Sequence, residues 1–244
     1  MIEHIEQGTL PAHVKACIAL TSWKKRINTV GLTIYNLFET CGPDYHIVLT
    51  LAEEEFPKKE QELPRDLLLM NKAGVFEILW VKKNYKSFKK WFFCSVRYSK
   101  VPIITADDDF IYTWNYAQKL YGRYRAKHAC VACTTSHKLG KLWPHGYAVL
   151  YPPRCFSISN DSIEKILSIL TDAKCNHDDG LWGRLYYMNS ANAMVETLNL
   201  QWPDVCIIHS KYTLLNGISS SITRSRALDE EDFVEHLLKI WRDK

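Results

Sequence analysis

Pro102-Ile103-Ile104-Thr105-Ala106-Asp107-Asp108-Asp109-Phe110-Ile111-Tyr112 sets an uncharged run against three consecutive carboxylates, and an apolar pair follows at once. Two isoleucines and a threonine behind a proline read as a short buried strand, so the acidic triad falls at that strand's carboxyl end. Open α/β sheets bind their ligands at such ends. Adjacent carboxylates repel one another, and a half-buried position is costly for them unless a cation neutralises them. Hard oxygen ligands favour Mg or Mn, which bind through one or two carboxylates together with substrate phosphates. Taken alone, the three acids fit a solvated acidic turn at least as well.

Upstream of the triad, Ala16 to Thr21 reads as a first buried strand, with Thr21-Ser22-Trp23-Lys24-Lys25-Arg26 as the loop after it. Val30, Ile34, Leu37, Phe38 and Cys41 recur at helical spacing before a Gly42-Pro43 stop. Ile47 to Leu51 is a second strand, Leu67 to Met70 a helix capped by Gly74, and Phe76 to Val81 a third strand. A segment rich in lysine and aromatics, Lys82 to Trp91, then enters a helix that ends near Tyr98. Strand and helix alternate with short connections, which predicts an α/β fold with a mostly parallel sheet covered on both faces. Right-handed crossovers put the strands' carboxyl ends on one rim. The loops at Thr21, Leu51, Lys82 and Asp107 therefore converge. They bring hydroxyls and Arg26, a lysine cluster and acids to one place, a set that suits a nucleotide.

Downstream, Trp114 to Arg125 reads as a helix and Ala129 to Cys133 as a strand. Leu139 to Tyr147 reads as a loop carrying aromatics and two glycines, and Tyr147 to Tyr151 as a strand ended by Pro152-Pro153. Asp161 to Leu170 has helical spacing, and Cys175-Asn176-His177-Asp178-Asp179-Gly180-Leu181-Trp182 opens a helix running to about Met188. Val205 to Ser210 is a late buried strand. Leu214 to Arg226 lacks apolar periodicity and is expected to be a mobile loop, and Asp229 to Trp241 an amphipathic helix. No repeat or linker divides the 244 residues, and the expectation is a single domain.

Hydrophobic residues make up 47% and charged residues 24%, the balance of an ordinary folded protein, while a net charge of +4 suits a small anionic substrate and argues against nucleic acid. No apolar run reaches the length of a membrane-spanning helix, and Met1 to Leu10 lacks the apolar core of a signal peptide. The cytosol is the expected location. Eight cysteines lie mostly in apolar segments and read as reduced thiols; Cys130-Val131-Ala132-Cys133 has no second pair at zinc-finger spacing.

An α/β half ending in an Asp-x-Asp element, followed by an acidic pair at a helix start and a late strand ending in His, resembles glycosyltransferases of the GT-A fold. The motifs are Ala19 to Trp23 with Arg26, Lys86 to Lys90, Ile104 to Tyr112, Tyr151-Pro152-Pro153 and His177-Asp178-Asp179. Their order is similar to that in bacterial glycosyltransferases that build surface polysaccharides such as capsule and lipopolysaccharide. The resemblance implies a three-layer α/β/α domain, with a Rossmann-like donor half over about 14–112 and an acceptor half over about 113–244. It implies that Asp109 binds a divalent metal, Mn or Mg, that Asp107 contacts the ribose or the metal, and that His209 completes the metal site. It assigns Asp179 as catalytic base, with Asp178 beside it. A core histidine and a helix cap are the alternatives for His209 and the acidic pair. The glycine-rich acceptor loop of the family is reduced here to Gly140 and Gly146.

Sugar transfer must stabilise a departing diphosphate and deprotonate an incoming hydroxyl. Thr21, Ser22, Arg26, Lys86, Lys90, Asp107 and Asp108 are the candidate donor-binding residues. Trp143, Gly146, Tyr147 and Trp182 are the candidate acceptor-binding residues, with core packing the alternative for the aromatics and a solvated helix face that for the lysines. The expected reaction is transfer from a nucleotide sugar, with UDP the commonest carrier, to a glycan or lipid-linked hydroxyl, with inversion. Peripheral contact with the inner face of the membrane fits such an acceptor. A sugar-1-phosphate nucleotidyltransferase is a rival, against which stands the lack of glycine between Thr21 and Arg26. A silent carbohydrate- or nucleotide-binding module is the other.

Overall fold

Ala16 to Leu20 are all fully buried, because β1 (Ala16–Thr21) lies inside the sheet with a parallel partner on each side. Those partners are β2 (Tyr45–Ala52) and β4 (Ile103–Thr105), and β3 (Glu77–Val81) pairs in parallel with the far edge of β2. The computed structural model describes residues 5–138, 141–155, 160–172, 182–183, 185–186, 194–200 and 205–209.

Side chains alternate across a strand, so one run of apolar residues serves two cores. Cys17, Ala19, Val48 and Ile103 face α3 (Lys89–Arg97), packing with Phe92, Phe93 and Cys94. Ala16, Ile18, Leu20, Leu49 and Ile104 face the other way, onto Val30, Ile34 and Leu37 of α1 (Val30–Cys41). The second face is completed by Leu67 of α2 (Arg65–Lys72) and by Tyr116, Ala117 and Leu120 of α4 (Tyr116–Lys127). The first is completed by Ile163, Ile166, Leu167 and Leu170 of α5 (Asn160–Asp172), a spacing that places all four on one helical stripe. Three layers result. Each fully buried aliphatic chain, such as Ile34, contributes about 1.5–3 kcal/mol.

The expected helix stops hold. The N–H of Gly42 donates to the Phe38 carbonyl at 3.1 Å with φ of +74°, a conformation that costs glycine nothing. Phe38 itself is exposed, so the α1 stripe is narrower than its apolar spacing suggests.

The second half departs from expectation at residues 141–147. Instead of a loop, β7 (Lys141–Tyr151) is a long strand antiparallel to β6 (Cys130–Lys138), with Thr134 opposite His145 and Lys138 opposite Lys141. Lysine, proline, histidine and glycine suppress the apolar alternation there, and backbone pairing supplies what the side chains do not announce. Pro144 is tolerated because it lies beyond the stretch where β7 also pairs with β4, at Leu150 and Tyr151. The sheet order is β3-β2-β1-β4-β7-β6-β8, where β8 (Val195–Thr197) runs parallel to β6 and β7 alone is reversed. A separate antiparallel ladder joins β5 (Phe110–Tyr112) to β9 (Cys206–Ile208). The expected loop over Leu214 to Arg226 and helix over Asp229 to Trp241 lie outside the described residues.

Candidate active site

The strands β1, β2, β3 and β4 end on one rim, and the loops that follow them meet there as their polarity predicts. Ala106 is tied back to β1, its N–H donating to the Ala19 carbonyl at 2.9 Å, and the Asp107 N–H donates to the Tyr112 hydroxyl at 2.7 Å. The aspartate turn is thereby fixed at both ends before any side chain acts.

Arg26 stands over the triad from the β1–α1 loop. One guanidinium nitrogen lies 3.0 Å from Asp108 Oδ1, and the other donates to Asp109 Oδ2. Ser22 from the same loop donates to Asp108 Oδ2 at 2.5 Å. Lys90, in the first turn of α3, reaches Asp107 Oδ1 at 2.8 Å. Burial pushes the Asp108 carboxyl up to about 6, against the lowering effect of Arg26 and with Asp109 pushing the same way. Ser22 and Asp108 are 2% and 3% exposed, so they hold each other, whereas the Asp107 side chain is 32% exposed and faces the rim.

His209 arrives from the other end of the chain. The β5–β9 ladder pairs Phe110 with Ile208, and one step further the His209 N–H donates to the Asp109 carbonyl at 2.9 Å. Its Nε2 lies 2.7 Å from the hydroxyl of Thr33 on α1, which is 3.0 and 2.9 Å from the carbonyls of Asp108 and Phe110. A hydroxyl with its proton directed at carbonyls accepts from the ring, so Nε2 carries the imidazole proton. Nδ1 is then the bare nitrogen, buried and without a hydrogen bond among the described residues. Burial holds His209 below its ordinary value of 6.5, with the nearby Asp109 opposing.

Two residues here were not singled out from sequence. Thr33 sat unmarked in a helix, and nothing in its neighbours signals it. Lys89 is 2% exposed, 3.4 Å from Glu55 and 2.9 Å from Asn84 Oδ1, and burial lowers its ammonium from the usual range. Its signal was its place in the lysine run.

Other sequence candidates fall elsewhere. Thr21 donates its hydroxyl to the Thr50 carbonyl at 2.7 Å, locking β1 to β2 at the rim. Lys86 is exposed at φ of +52° in the short 3-10 turn Lys86–Phe88 that precedes α3. Trp182 is fully buried, 4.8 Å from the Trp91 ring, stacked on Phe92 at 6.0 Å and edge-on to Phe88. Of the two readings of that ring, the structure takes core packing over sugar stacking, because no face is left for a ligand. Trp143, Gly146 and Tyr147 lie on β7, and their side chains are outside the described set, as are Asp178 and Asp179 entirely.

The ligand set implied for a divalent ion is only partly assembled. Asp109 and His209 adjoin, but Asp107 turns to Lys90, and among the described residues no three His, Cys, Asp or Glu side chains stand as a group able to hold an ion. The carboxylates present are already countered by cations of the chain. As arranged, these residues do not form a metal cage.

No protein-family model matches the chain, and no curated protein matches it. A solved structure does. The fold of this chain is similar to the fold of that structure. The relative is S. aureus TarS 1–349, with a TM-score of 0.53 over 93% of this chain and 71% of that one. At 9% identity the likeness is one of fold alone. It accords with the three layers and mostly parallel sheet described above. Among the described residues no helix is long and apolar enough to cross a membrane.

Proposed function

We propose that this protein is a glycosyltransferase that moves a sugar from a nucleotide-sugar donor, a UDP-sugar first among them, to a hydroxyl of a glycan or lipid-linked acceptor. One observation carries the reading: Arg26, Asp107 to Asp109, Lys90 and His209, drawn from separate elements, meet at the carboxyl-end rim of a glycosyltransferase-like sheet. That rim is where such sheets bind nucleotides.

The chemistry follows from what leaves and what attacks. A departing nucleoside diphosphate gains negative charge as the glycosidic bond breaks, and Arg26 and Lys90 are cations placed to receive it. Asp107, the exposed member of the triad, is the group for the ribose hydroxyls. Asp179 takes the proton from the acceptor hydroxyl while that oxygen attacks the anomeric carbon, which inverts the centre. Asp178 stands next to it in sequence. A lipid-linked acceptor in surface polysaccharide synthesis places the enzyme at the inner face of a membrane.

Release of nucleoside diphosphate from a panel of nucleotide sugars, with and without candidate acceptors, tests this. Asp109→Ala and Asp179→Asn are expected to lose turnover, and Asp179→Asn to keep donor binding. Turnover at the parental rate in both variants overturns the assignment.

A further inference from the structure

Three adjacent acids pointed, from sequence, to a divalent ion. The folded chain brings a different cation to them. We propose that Arg26 is the resident cation of this site, its guanidinium standing between Asp108 and Asp109 where a metal would otherwise bind, so that the donor diphosphate is held without a free divalent ion. The inference rests on the nucleotide-sugar reading for its ligand, and not for its geometry.

The guanidinium is not a surface side chain that happens to fall nearby. Its backbone is fixed inside the turn that opens α1: the Arg26 N–H donates to the Trp23 carbonyl at 2.9 Å, and the Arg26 carbonyl accepts from Thr29 and Val30 at 2.9 and 3.2 Å. The side chain is 15% exposed and spans two carboxylates that are 4% and 7% exposed. Those carboxylates cannot swing to a new partner easily, because Ser22 holds Asp108 Oδ2 and Thr33 lies against the Asp108 and Phe110 carbonyls. Arginine stays charged at any working pH, and its fork matches adjacent carboxylate oxygens in a way a compact ammonium does not. A divalent ion entering the same gap meets a fixed positive charge at close range, whereas a diphosphate approaching from the rim meets Arg26 and Lys90 as partners. The arrangement thus selects for phosphate and against free metal.

Two measurements test this on the full chain. The first uses manganese alone, followed by loss of the free-ion EPR signal. The parent is expected to leave Mn free at concentrations where Arg26→Ala takes up about one equivalent, and adding Asp109→Ala to that variant is expected to abolish the uptake. A parent that binds one equivalent dependent on Asp109 overturns the proposal, and so does an Arg26→Ala protein that is folded by circular dichroism yet binds no Mn. Arg26→Gln, which keeps the bulk and removes the charge, serves if the alanine variant does not fold. The second measurement is the thermal shift given by UDP in EDTA against UDP with Mn. An equal rise in both is expected, reduced in Arg26→Gln. A rise seen only with Mn overturns the proposal. If a panel of nucleoside diphosphates produces no rise under either condition, the nucleotide-sugar reading fails, and the manganese result still decides whether Arg26 holds a cation's place.

Discussion

The backbone N–H of His209 donates to the carbonyl of Asp109, 100 residues earlier in the chain, at 2.9 Å. The contact continues the β5–β9 ladder by one residue past Phe110 and Ile208. A strand of only three residues therefore determines where the histidine stands relative to the acidic turn, and Thr33 sets how its ring is turned.

Thr33 is the joint of this arrangement. Thr33→Val keeps the shape and removes the hydroxyl, leaving His209 Nε2 and the carbonyls of Asp108 and Phe110 without it. The expected cost is about 1–3 kcal/mol of stability, read as a lower midpoint in urea, together with slower donor turnover. Thr33→Ser restores the hydroxyl and is expected to lie close to the parent.

Trp182→Ala separates core from ligand contact. A ring buried against Trp91, Phe92 and Phe88 predicts a loss of about 3–5 kcal/mol on truncation, seen as a large fall in Tm. An unchanged Tm with a raised acceptor KM is the opposite outcome and would return the ring to the acceptor site.

Gly183 packs beneath β7. A Cβ there would sit 2.5 Å from the Pro144 carbonyl oxygen, and that atom is backbone in a paired strand. Gly183→Ala is expected to destabilise by about 1–3 kcal/mol as the backbone at Gly183 backs away from β7, and scanning calorimetry reads it directly.

Glu77 governs acid stability at the opposite end of the sheet. Burial raises its carboxyl, but His46 at 2.8 Å, the Tyr98 hydroxyl and Arg97 at 2.7 Å outweigh that and hold it below 4.5. A carboxyl lowered on folding adds stability that is fully present above 4.5 and is lost as pH falls through the folded value. Urea midpoints are expected to drop below pH 4.5 in the parent and to depend less on pH in Glu77→Gln.

Lys90→Met removes the ammonium that faces Asp107. A charge-assisted contact to phosphate is worth about 1.5–3 kcal/mol, so the donor Kd is expected to rise about tenfold or more, measured by calorimetry. The fold is expected to persist, since the lysine stem and methionine fill similar space.

From sequence alone come the parts whose signal is local. An apolar run such as Ala16 to Leu20 must be covered on both faces, and the spacing of Ile163, Ile166, Leu167 and Leu170 must face one core. Short connections between such elements put the polar loops on one rim. Those features fix the layers, the parallel half and the neighbourhood of the triad, because burial periodicity is set within each element. Tertiary structure alone determines what the triad touches. Asp107 to Asp109 announce a need for positive charge and say nothing about its source; Arg26, more than 80 residues away in sequence, supplies it only because β4 lies beside β1. The same holds for the backbone pairing that makes a strand of Lys141 to Tyr147 and for the aromatic cluster that closes over Trp182. Contacts between distant loops depend on where the sheet delivers them, and no local pattern of residue types encodes that delivery.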